Sequence, residues 1–346
     1  MTLLDRLGIS IPIIQAPMAG VQHHALAAAV SSAGGLGSLP CAMLGADALR
    51  AELAALRSAT GAPFNVNFFC HVPPVPDPEG NARWRALLAP YYEELGIDAE
   101  VVSTAPARQP FDDAAADVLE EFRPSVVSFH FGLPAPRLLA RVRGWGAVML
   151  ATATSIEEAR WLEARGVDAI VAQGVEAGGH RGWFLTPSLE RAADTLSLVR
   201  QLTQVMSVPV IAAGGIADRC QVENAIAHGA AAVQVGTAYL LCDEATTGPV
   251  HRAALQGDGA GNTAFTNLFS GRIARGIVNR VMRELGPIHP RAPEFPLAAA
   301  AMAPLRAAAE RQGRSDFSPL WAGESARACR AVPAARLTRE LGGRSQ

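Results

Sequence analysis

Short apolar runs alternate along this chain with stretches whose apolar residues recur at helical spacing. The runs, which we interpret as strands, are 12–18, 34–39, 64–69, 126–132, 147–154, 169–174, 209–215 and 232–237. The stretches of helical spacing between them include 24–33, 46–59, 135–143, 155–165, 191–206 and 218–228. Continuous apolar strands separated by helices are typical of a parallel sheet buried on both faces. Eight such strands predict an α/β fold of the (β/α)8 TIM-barrel type, because open doubly wound sheets usually have fewer strands.

The expected barrel, residues 1–244, carries two additions. Residues 70–125 form an insertion after strand 3, which opens with HVPPVPDPEG and continues with a helical pattern. Residues 245–346 follow strand 8, are rich in Ala and Arg, and predict a mainly helical extension. Loops that follow barrel strands lie at the catalytic end of the barrel. We therefore expect the insertion to act as a lid and the extension to cover the substrate site.

Composition and charge exclude several classes of function. Apolar residues make up 49% of the chain and charged residues 18%, which excludes a disordered protein. The net charge is −2 with no block of like charge, which argues against a nucleic-acid partner or a membrane surface. All 30 basic residues are Arg. The absence of Lys excludes Schiff-base aldolases, P-loop phosphate sites and any lysine nucleophile or base.

The cysteines and the first residues predict a cytoplasmic protein. The five cysteines show no CxxC pattern, and we expect them to be reduced thiols. The opening sequence MTLLDRLGIS lacks the basic and apolar regions of a signal peptide. The uncharged stretch 25–44 contains Gly34, Gly35 and Pro40, so we interpret it as a buried helix, a turn and a strand rather than a membrane span.

Glycine pairs follow the last two predicted strands. Gly214-Gly215 ends strand 7 and Gly236-Thr237 ends strand 8, where TIM barrels often bind a phosphate group. Glycine lets the backbone approach a ligand closely, and a following helix N-terminus favours an anion. Either pair alone is also explained as a simple turn from strand to helix. Two of them on consecutive final strands favour a phosphate-bearing ligand.

Two histidines are expected at the same end of the barrel. His180 lies in the glycine-rich stretch QGVEAGGHRGW (173–183) after strand 6, a composition that favours a catalytic histidine over a structural one. His130 ends strand 4, and a hydrogen-bonded structural role explains it as well as a functional one. No histidine has carboxylate or cysteine neighbours at metal-ligand spacing, so we expect no metal site.

Amide side chains at two strand ends suit a heterocyclic ligand. Asn67 and Gln173 each present a donor and an acceptor together, which matches an N–H/C=O edge such as the pyrimidine ring of a flavin. Ordinary hydrogen bonding at the barrel mouth is the alternative. Met18 could pack against the flavin ring, or its side chain could simply pack inside the barrel.

Taken together, these segments resemble the FMN-dependent nitronate monooxygenase family, and the tail resembles its bacterial type. The matching segments are IIQAPMAG (13–20), AGGLGSL (33–39), FNVNFF (64–69), QGVEAGGHRG (173–182), PVIAAGGI (209–216), AVQVGTAYL (232–240), FSGRIARGIVN (269–279) and FSPLWAGE (317–324). The resemblance implies that His180 is the active-site histidine and that His130 faces the substrate. It implies cofactor contacts from Asn67, Gln173, Gly178, Gly215, Gln234, Val235, Gly236 and Thr237.

The resemblance further implies the oxidation of alkyl nitronates by O2 to carbonyl compounds and nitrite, with a nitronate or nitroalkane as the substrate. With no Lys, the negative charge of a reduced flavin would be balanced by backbone N–H groups, a helix N-terminus, Arg or protonated His. Relatives carry tyrosines and a lysine near the substrate, where residues 294–310 offer only Phe295 and Arg306. The alternatives are an NAD(P)H-dependent FMN reductase, of quinone reductase or enoyl-acyl-carrier-protein reductase type, and a non-catalytic flavin-binding or phosphate-binding barrel. No GxGxxG motif follows any predicted strand.

Overall fold

Eight parallel strands form the barrel in the computed structural model, which describes residues 1–98 and 108–343. The barrel strands are β1 (Ile13–Gln15), β2 (Gly37–Pro40), β3 (Phe64–Phe69), β4 (Val126–His130), β5 (Val148–Ala153), β6 (Ala169–Gln173), β8 (Val210–Ala213) and β9 (Ala232–Val235). Each lies within or overlaps one of the eight predicted runs. A two-residue strand, β7 (Gly179–His180), falls between β6 and β8 in sequence but belongs to another sheet.

Backbone hydrogen bonds close the sheet into a barrel. The strand order is β1-β9-β8-β6-β5-β4-β3-β2, and every neighbouring pair is parallel. The two ends of this order meet where Leu36 N–H donates to Ile13 O and Gln15 N–H donates to Leu36 O, each at 2.9 Å. The prediction of a (β/α)8 TIM barrel is confirmed.

Helices surround the barrel strands; six of them overlap the predicted helical stretches, and one, α5 (Asp113–Phe122), lies within the insertion. They are α2 (His24–Ser32), α3 (Ala46–Ala59), α5 (Asp113–Phe122), α6 (Pro136–Gly144), α7 (Ile156–Glu163), α8 (Thr195–Val205) and α9 (Arg219–Ala227). Side-chain oxygens of Ser155, Asp194 and Asp218 accept backbone N–H groups at the starts of α7, α8 and α9. Such N-caps fix where each helix leaves its loop. The buried faces of these helices and the outer faces of the strands form the main hydrophobic core.

A separate apolar cluster fills the barrel interior at its amino-terminal end. It combines inward-facing strand residues such as Ile14, Val171 and Ile211 with Leu3 and Leu7 of helix α1 (Leu3–Leu7). Because this end of the barrel is packed with side chains, a ligand site has room only toward the carboxyl ends of the strands.

The insertion and the C-terminal extension meet in a second hydrophobic core. The insertion supplies α4 (Pro78–Glu94), and the extension supplies α10 (Pro249–Gln256), β10 (Thr263–Thr266), β11 (Ala274–Ile277), α11 (Arg280–Leu285), α12 (Ala298–Arg311) and α13 (Ala334–Leu341). Trp84, Leu88 and Tyr92 of α4 pack with Met302 and Leu305 of α12 in this second core. The hydroxyl of Tyr92 donates to the carbonyl of Ala301 at 2.7 Å. The second core therefore joins the two additions to each other.

Two helices of the additions pack in the outer ring of the barrel. Helix α5 packs against α3 and α6, and helix α13 packs against α2 and α9. Each therefore occupies the position of a regular barrel helix. Within the described residues, no helix combines the length and the apolar character needed to cross a membrane.

Candidate active site

A cavity of about 1390 Å³, including its open mouth, lies at the carboxyl ends of the strands. Most of the predicted site residues line it: Met18, Asn67, His130, Gln173, Gly178, His180, Gly214, Gly215, Gln234, Gly236 and Thr237. Val235 does not line it. Its side chain belongs to the core between strands and helices, because successive strand residues point to opposite faces and Gln234 already points inward.

The glycine-rich loop that carries His180 is held by hydrogen bonds at both of its sides. Strand β7 pairs with β11 of the extension, with His180 opposite Ala274. On the barrel side, the amide of Gln173 donates to His180 O at 2.9 Å and accepts from Gly182 N–H at 2.8 Å. Both ends of this amide are therefore engaged within the protein, and Gln173 fixes the backbone at His180.

Arg181 also holds this loop, through hydrogen bonds from its buried side chain. Its side chain is 1% exposed, and its guanidinium donates to the carbonyls of Gln173 and Gly174 at 2.9 and 2.6 Å. Burial lowers the pKa of Arg181 to about 10, against the opposing effects of Glu158 and Glu176. The group remains cationic at neutral pH, and its hydrogen bonds tie the loop to the end of β6.

The imidazole of His180 is oriented by one hydrogen bond and surrounded by rings. Its Nε2 lies 2.9 Å from the hydroxyl of Ser270. The rings of Phe69, Phe131, Phe295 and Trp321, which we call the aromatic wall, have centroids 5.3 to 6.2 Å from the His180 ring. Burial and the nearby positive charges, first among them Arg108, hold the pKa of His180 well below its usual value. His180 is therefore neutral at pH 7.

His130 uses both ring nitrogens within the protein. Its Nδ1 lies 3.0 Å from the Thr152 hydroxyl, and its Nε2 lies 3.3 Å from the backbone oxygen of His180. Burial, with a smaller effect from Arg272, lowers the pKa of His130 to about 3. A neutral His130 therefore connects the end of β4 to the His180 loop.

The residue that follows His130 has an unusual backbone. Phe131 has φ of +70°, a left-handed conformation that costs a bulky side chain on the order of 1–3 kcal/mol. This turn places the Phe131 ring within the aromatic wall, with its centroid 4.8 Å from that of Phe69. The guanidinium carbon of Arg272 lies 4.0 Å from the centre of the Phe131 ring. Packing on both sides holds the strained residue in place.

The two glycine corners present backbone N–H groups to the cavity. Gly214 and Gly215 have φ of +130° and +69°, conformations that glycine adopts readily. In the described part of the chain, the N–H groups of Gly214, Gly215, Ile216 and Gly236 have no protein acceptor. Consecutive free N–H groups at strand ends form a typical anion-binding arrangement. The corners therefore fit the phosphate of FMN.

At Gly178 and Gly236 an added side chain would meet neighbouring atoms. A Cβ atom at Gly236 would lie 3.2 Å from Ala16 Cβ and 3.7 Å from Met18 Sδ. A Cβ atom at Gly178 would lie 2.4 Å from the backbone nitrogen of Gly323, so the loop and the extension are in direct contact there. Asn67 donates to the Ser128 hydroxyl at 2.9 Å, which orients its amide on the cavity wall.

Sequence reasoning missed several residues that line the cavity or contact His180. Ser270 lies in the segment FSGRIARG, and the family resemblance of this segment implies no role for the serine. Trp321 lies in FSPLWAGE, a second such segment whose resemblance implies no role for the tryptophan. Arg108 belongs to no motif, and only the folded chain brings it to the cavity. Of the two residues noted in 294–310, Phe295 joins the aromatic wall, whereas Arg306 forms an ion pair with Glu310 at 2.8 Å. Within the described residues, no group of His, Cys, Asp and Glu is arranged to hold a metal.

Comparison with known proteins finds similar proteins over almost the whole chain. The family described as nitronate monooxygenase matches residues 1–342. A nitronate monooxygenase of Paraburkholderia phytofirmans is 44% identical and covers 98% of this chain and 93% of its own length. One of Pseudomonas aeruginosa is also 44% identical, with 97% and 96% covered.

Solved structures also match this chain over almost its whole length. The structure of a nitroalkane oxidase from Streptomyces ansochromogenes matches with a TM-score of 0.88 and 40% identity, covering 97% of this chain and 95% of that one. The structure of FabK from Thermotoga maritima matches with a TM-score of 0.73 and 28% identity, covering 98% and 94%.

Proposed function

The chain belongs to the nitronate monooxygenase family, and from this premise we propose that it oxidises alkyl nitronates at the cavity beside His180. Its cofactor is FMN, and its products are a carbonyl compound and nitrite. One observation supports the placement of the substrate. The His180 ring is fixed by Ser270, faces the aromatic wall and lies in the same cavity as the free N–H groups of the glycine corners.

The glycine corners are the proposed binding site of the FMN phosphate. Gly214, Gly215 and Gly236 would donate backbone N–H groups to it, and the Thr237 side chain lies at the same corner. Asn67, Gln234 and Met18 line the cavity and are the proposed contacts of the remaining cofactor. Val235 is not included, because its side chain lies in the core.

When bound, FMN supplies the one-electron chemistry that oxidation of a nitronate by O2 requires. The chain's own groups bind and orient the substrate. Ser270 holds His180 Nε2, which leaves Nδ1 as the ring nitrogen that meets a ligand. The aromatic wall excludes water from the same place. His130 and Gln173 act as positioning residues, since both contact the backbone oxygen of His180.

Protonated histidine is not the cation of this site. The pKa values of His180 and His130 are both lowered, chiefly by burial, so both rings are neutral near pH 7. A lowered pKa also makes His180 a weak base. We therefore assign His180 the role of positioning the nitro group rather than that of removing an α-proton.

The test compares two forms of one substrate. A nitronate has already lost its α-proton, whereas the neutral nitroalkane still carries it. If His180 positions the nitro group, His180→Ala lowers kcat/KM for both forms. Loss of a general base would lower turnover of the neutral form alone, by about 10²–10⁴-fold. Unchanged nitronate turnover in the variant would contradict the positioning role.

Anaerobic mixing with NADH separates the oxygenase from a reductase. We expect the yellow protein to keep its oxidised spectrum in NADH and to consume O2 when a nitronate is added. Rapid bleaching by NADH, with no oxygen uptake on nitronate, would instead support the reductase alternative that the likeness to FabK suggests.

We also infer a cytoplasmic location and a role in the removal of toxic nitro compounds. The five cysteines are free, as is usual for proteins of a reducing compartment. Growth of a deletion strain on medium with added nitronate tests this role, and normal growth would contradict it.

A further inference from the structure

Two cavities meet at Arg108. The main cavity contains His180 and the glycine corners, as described above. A second, outer cavity of about 950 Å³, including its open mouth, is lined mainly by the insertion and by several of its prolines. Arg108 is the one described residue that lines both cavities. Its segment is anchored by Phe111 N–H, which donates to Phe69 O at the end of β3 at 2.8 Å.

The Arg108 guanidinium has no counter-ion among the described residues. Among those residues it forms neither an ion pair nor a hydrogen bond, and its guanidinium carbon lies 5.7 Å from the centre of the Phe295 ring. Burial, and next to it the charge of Arg306, lowers the pKa of Arg108. A partly buried cation without an anion is costly for a fold. Its place between two cavities suggests that a ligand supplies the anion.

Arg108 is also the only arginine lining the main cavity in the part of the chain that the structure describes. The carboxylate in that lining, Glu176, is engaged by the backbone N–H and hydroxyl of Thr195 at 3.0 and 2.7 Å. After burial, the charge of Arg108 is the largest cause of the lowered pKa of His180. Its electric field therefore acts at the proposed substrate site, where the histidines are neutral.

We propose that Arg108 binds the anionic nitro group of the nitronate and sets the preference for the nitronate over the neutral nitroalkane. A nitronate is planar, with its charge shared by two oxygens, and a guanidinium fork matches such a group with two parallel hydrogen bonds. The outer cavity is then the route by which the anion reaches Arg108. This inference rests on the proposed function, because it takes the nitronate as the substrate.

Arg108→Met tests the proposal while keeping a long apolar side chain against Phe295. We expect the variant to raise KM for the nitronate by about 10- to 100-fold, the usual effect of losing hydrogen bonds to a charged group. The KM for the neutral nitroalkane should change less than about threefold on the same scale of interaction energies. Arg108→Lys keeps the charge and should recover most of the nitronate affinity.

Two further measurements distinguish anion binding from a structural role. Nitrate, a planar unreactive anion, is titrated into resting holoenzyme and followed by the flavin absorbance, and its Kd should rise in Arg108→Met as KM does. The melting temperature should stay equal or increase, because a cation without a partner is removed. Arg85→Gln is the matched control, since Arg85 lines the outer cavity alone.

Several outcomes would overturn the proposal. An unchanged nitronate KM and nitrate Kd in Arg108→Met would show that Arg108 binds no anion. An equal rise in KM for both substrate forms, or equal effects of Arg85→Gln, would show a general disturbance instead. If wild type turned over no nitronate, the proposed function would fail. The nitrate titration would still decide whether Arg108 binds an anion.

Discussion

Ser270 contributes one hydroxyl group, and that group fixes the orientation of the His180 ring. The hydroxyl lies 2.9 Å from His180 Nε2, and the serine is 1% exposed, so no water replaces it readily. Its own oxygen lies 3.3 Å from the carbonyl of Arg272, which holds the hydroxyl in turn. The orientation of the histidine therefore depends on a residue 90 positions away in sequence.

We expect Ser270→Ala to lower kcat/KM for nitronates by about 3- to 10-fold, the equivalent of one neutral hydrogen bond. The flavin content and the flavin spectrum should not change, because Ser270 is not among the residues that line the cavity. Ser270→Thr keeps the hydroxyl and serves as the conservative variant. Steady-state kinetics of both variants provide the test, and equal activity of Ser270→Ala and wild type would refute the orienting role.

Site residues that belong to a local pattern were predictable, and those brought in by folding were not. His180 and the glycine corners lie in loops of unusual composition directly after predicted strands, so barrel topology alone places them together. Arg108 and Phe69 give no such signal. The roles of Gln173 and His130 were also hidden, because their partner is a backbone oxygen in a loop whose course no residue pattern describes.

At the scale of elements, the corner at the end of β9 shows how a barrel strand forms a binding surface. Gly236 follows the last strand residue and faces Ala16 and Met18 at the end of β1. A larger side chain at 236 would therefore extend into the cavity where the phosphate is proposed to bind.

Gly236→Leu should fold but purify with less than about a tenth of the wild-type flavin, since its side chain would block the close backbone approach that a phosphate needs. The ratio of flavin to protein absorbance measures this directly. Gly144→Leu is the matched control, because Gly144 ends helix α6 with no atom within 4 Å of its added Cβ. Full flavin content in a folded Gly236→Leu would mean that the phosphate binds elsewhere.

The barrel strands were predictable from sequence, and the small antiparallel sheet was not. Most barrel strands are rich in apolar residues, because both faces of the barrel wall are largely buried. By contrast, β7 has the sequence GH and β11 the sequence ARGI, which carry no strand pattern. These strands exist because they pair with each other. The position of α5 in the outer ring was hidden for a similar reason, since only packing distinguishes it from the rest of the insertion.

The second core makes the insertion and the extension one structural unit over the barrel. Leu88 is fully buried in it, whereas its neighbour Leu87 is partly exposed. Leu88→Ala should cost about 2–5 kcal/mol, as is usual for a buried leucine, and Leu87→Ala should cost less. We expect faster hydrogen exchange in α4 and α12 of Leu88→Ala with unchanged exchange in α3 and α6. Uniformly faster exchange would show that the second core and the barrel unfold together.

At the scale of the whole molecule, arginine–carboxylate ion pairs lie at the surface, whereas the buried histidines of the interior are neutral. Several arginines of the outer ring pair with carboxylates, as Arg141 does with Asp117 and Glu120 at 2.6 and 2.7 Å. The interior instead contains histidines whose pKa values are lowered. Burial is the main cause at His71, His130, His180 and His251. These rings are neutral in the folded protein at pH values where the unfolded chain would protonate them.

This difference makes stability depend on pH in a predictable direction. His251 has a pKa of about 4 when folded and its ordinary value of 6.5 when unfolded. Above pH 6.5 neither state binds the proton, so the full stability is present. As the pH falls from 6.5 toward 4, the unfolded chain gains the proton first and unfolding becomes more favourable. At pH 5 the loss from His251 alone is about 2 kcal/mol.

We therefore expect the free energy of unfolding in urea, with FMN in constant excess, to fall from pH 7 to pH 5. His251→Gln should make this fall smaller by about 2 kcal/mol, because a side chain that does not titrate replaces one that does. His228→Gln, at the half-buried end of helix α9, is the matched histidine-to-glutamine control. Since carboxylates contribute equally to wild type and variant, the difference between the two slopes isolates the histidine. Identical slopes for wild type and His251→Gln would show that His251 is as easily protonated in the fold as in the unfolded chain.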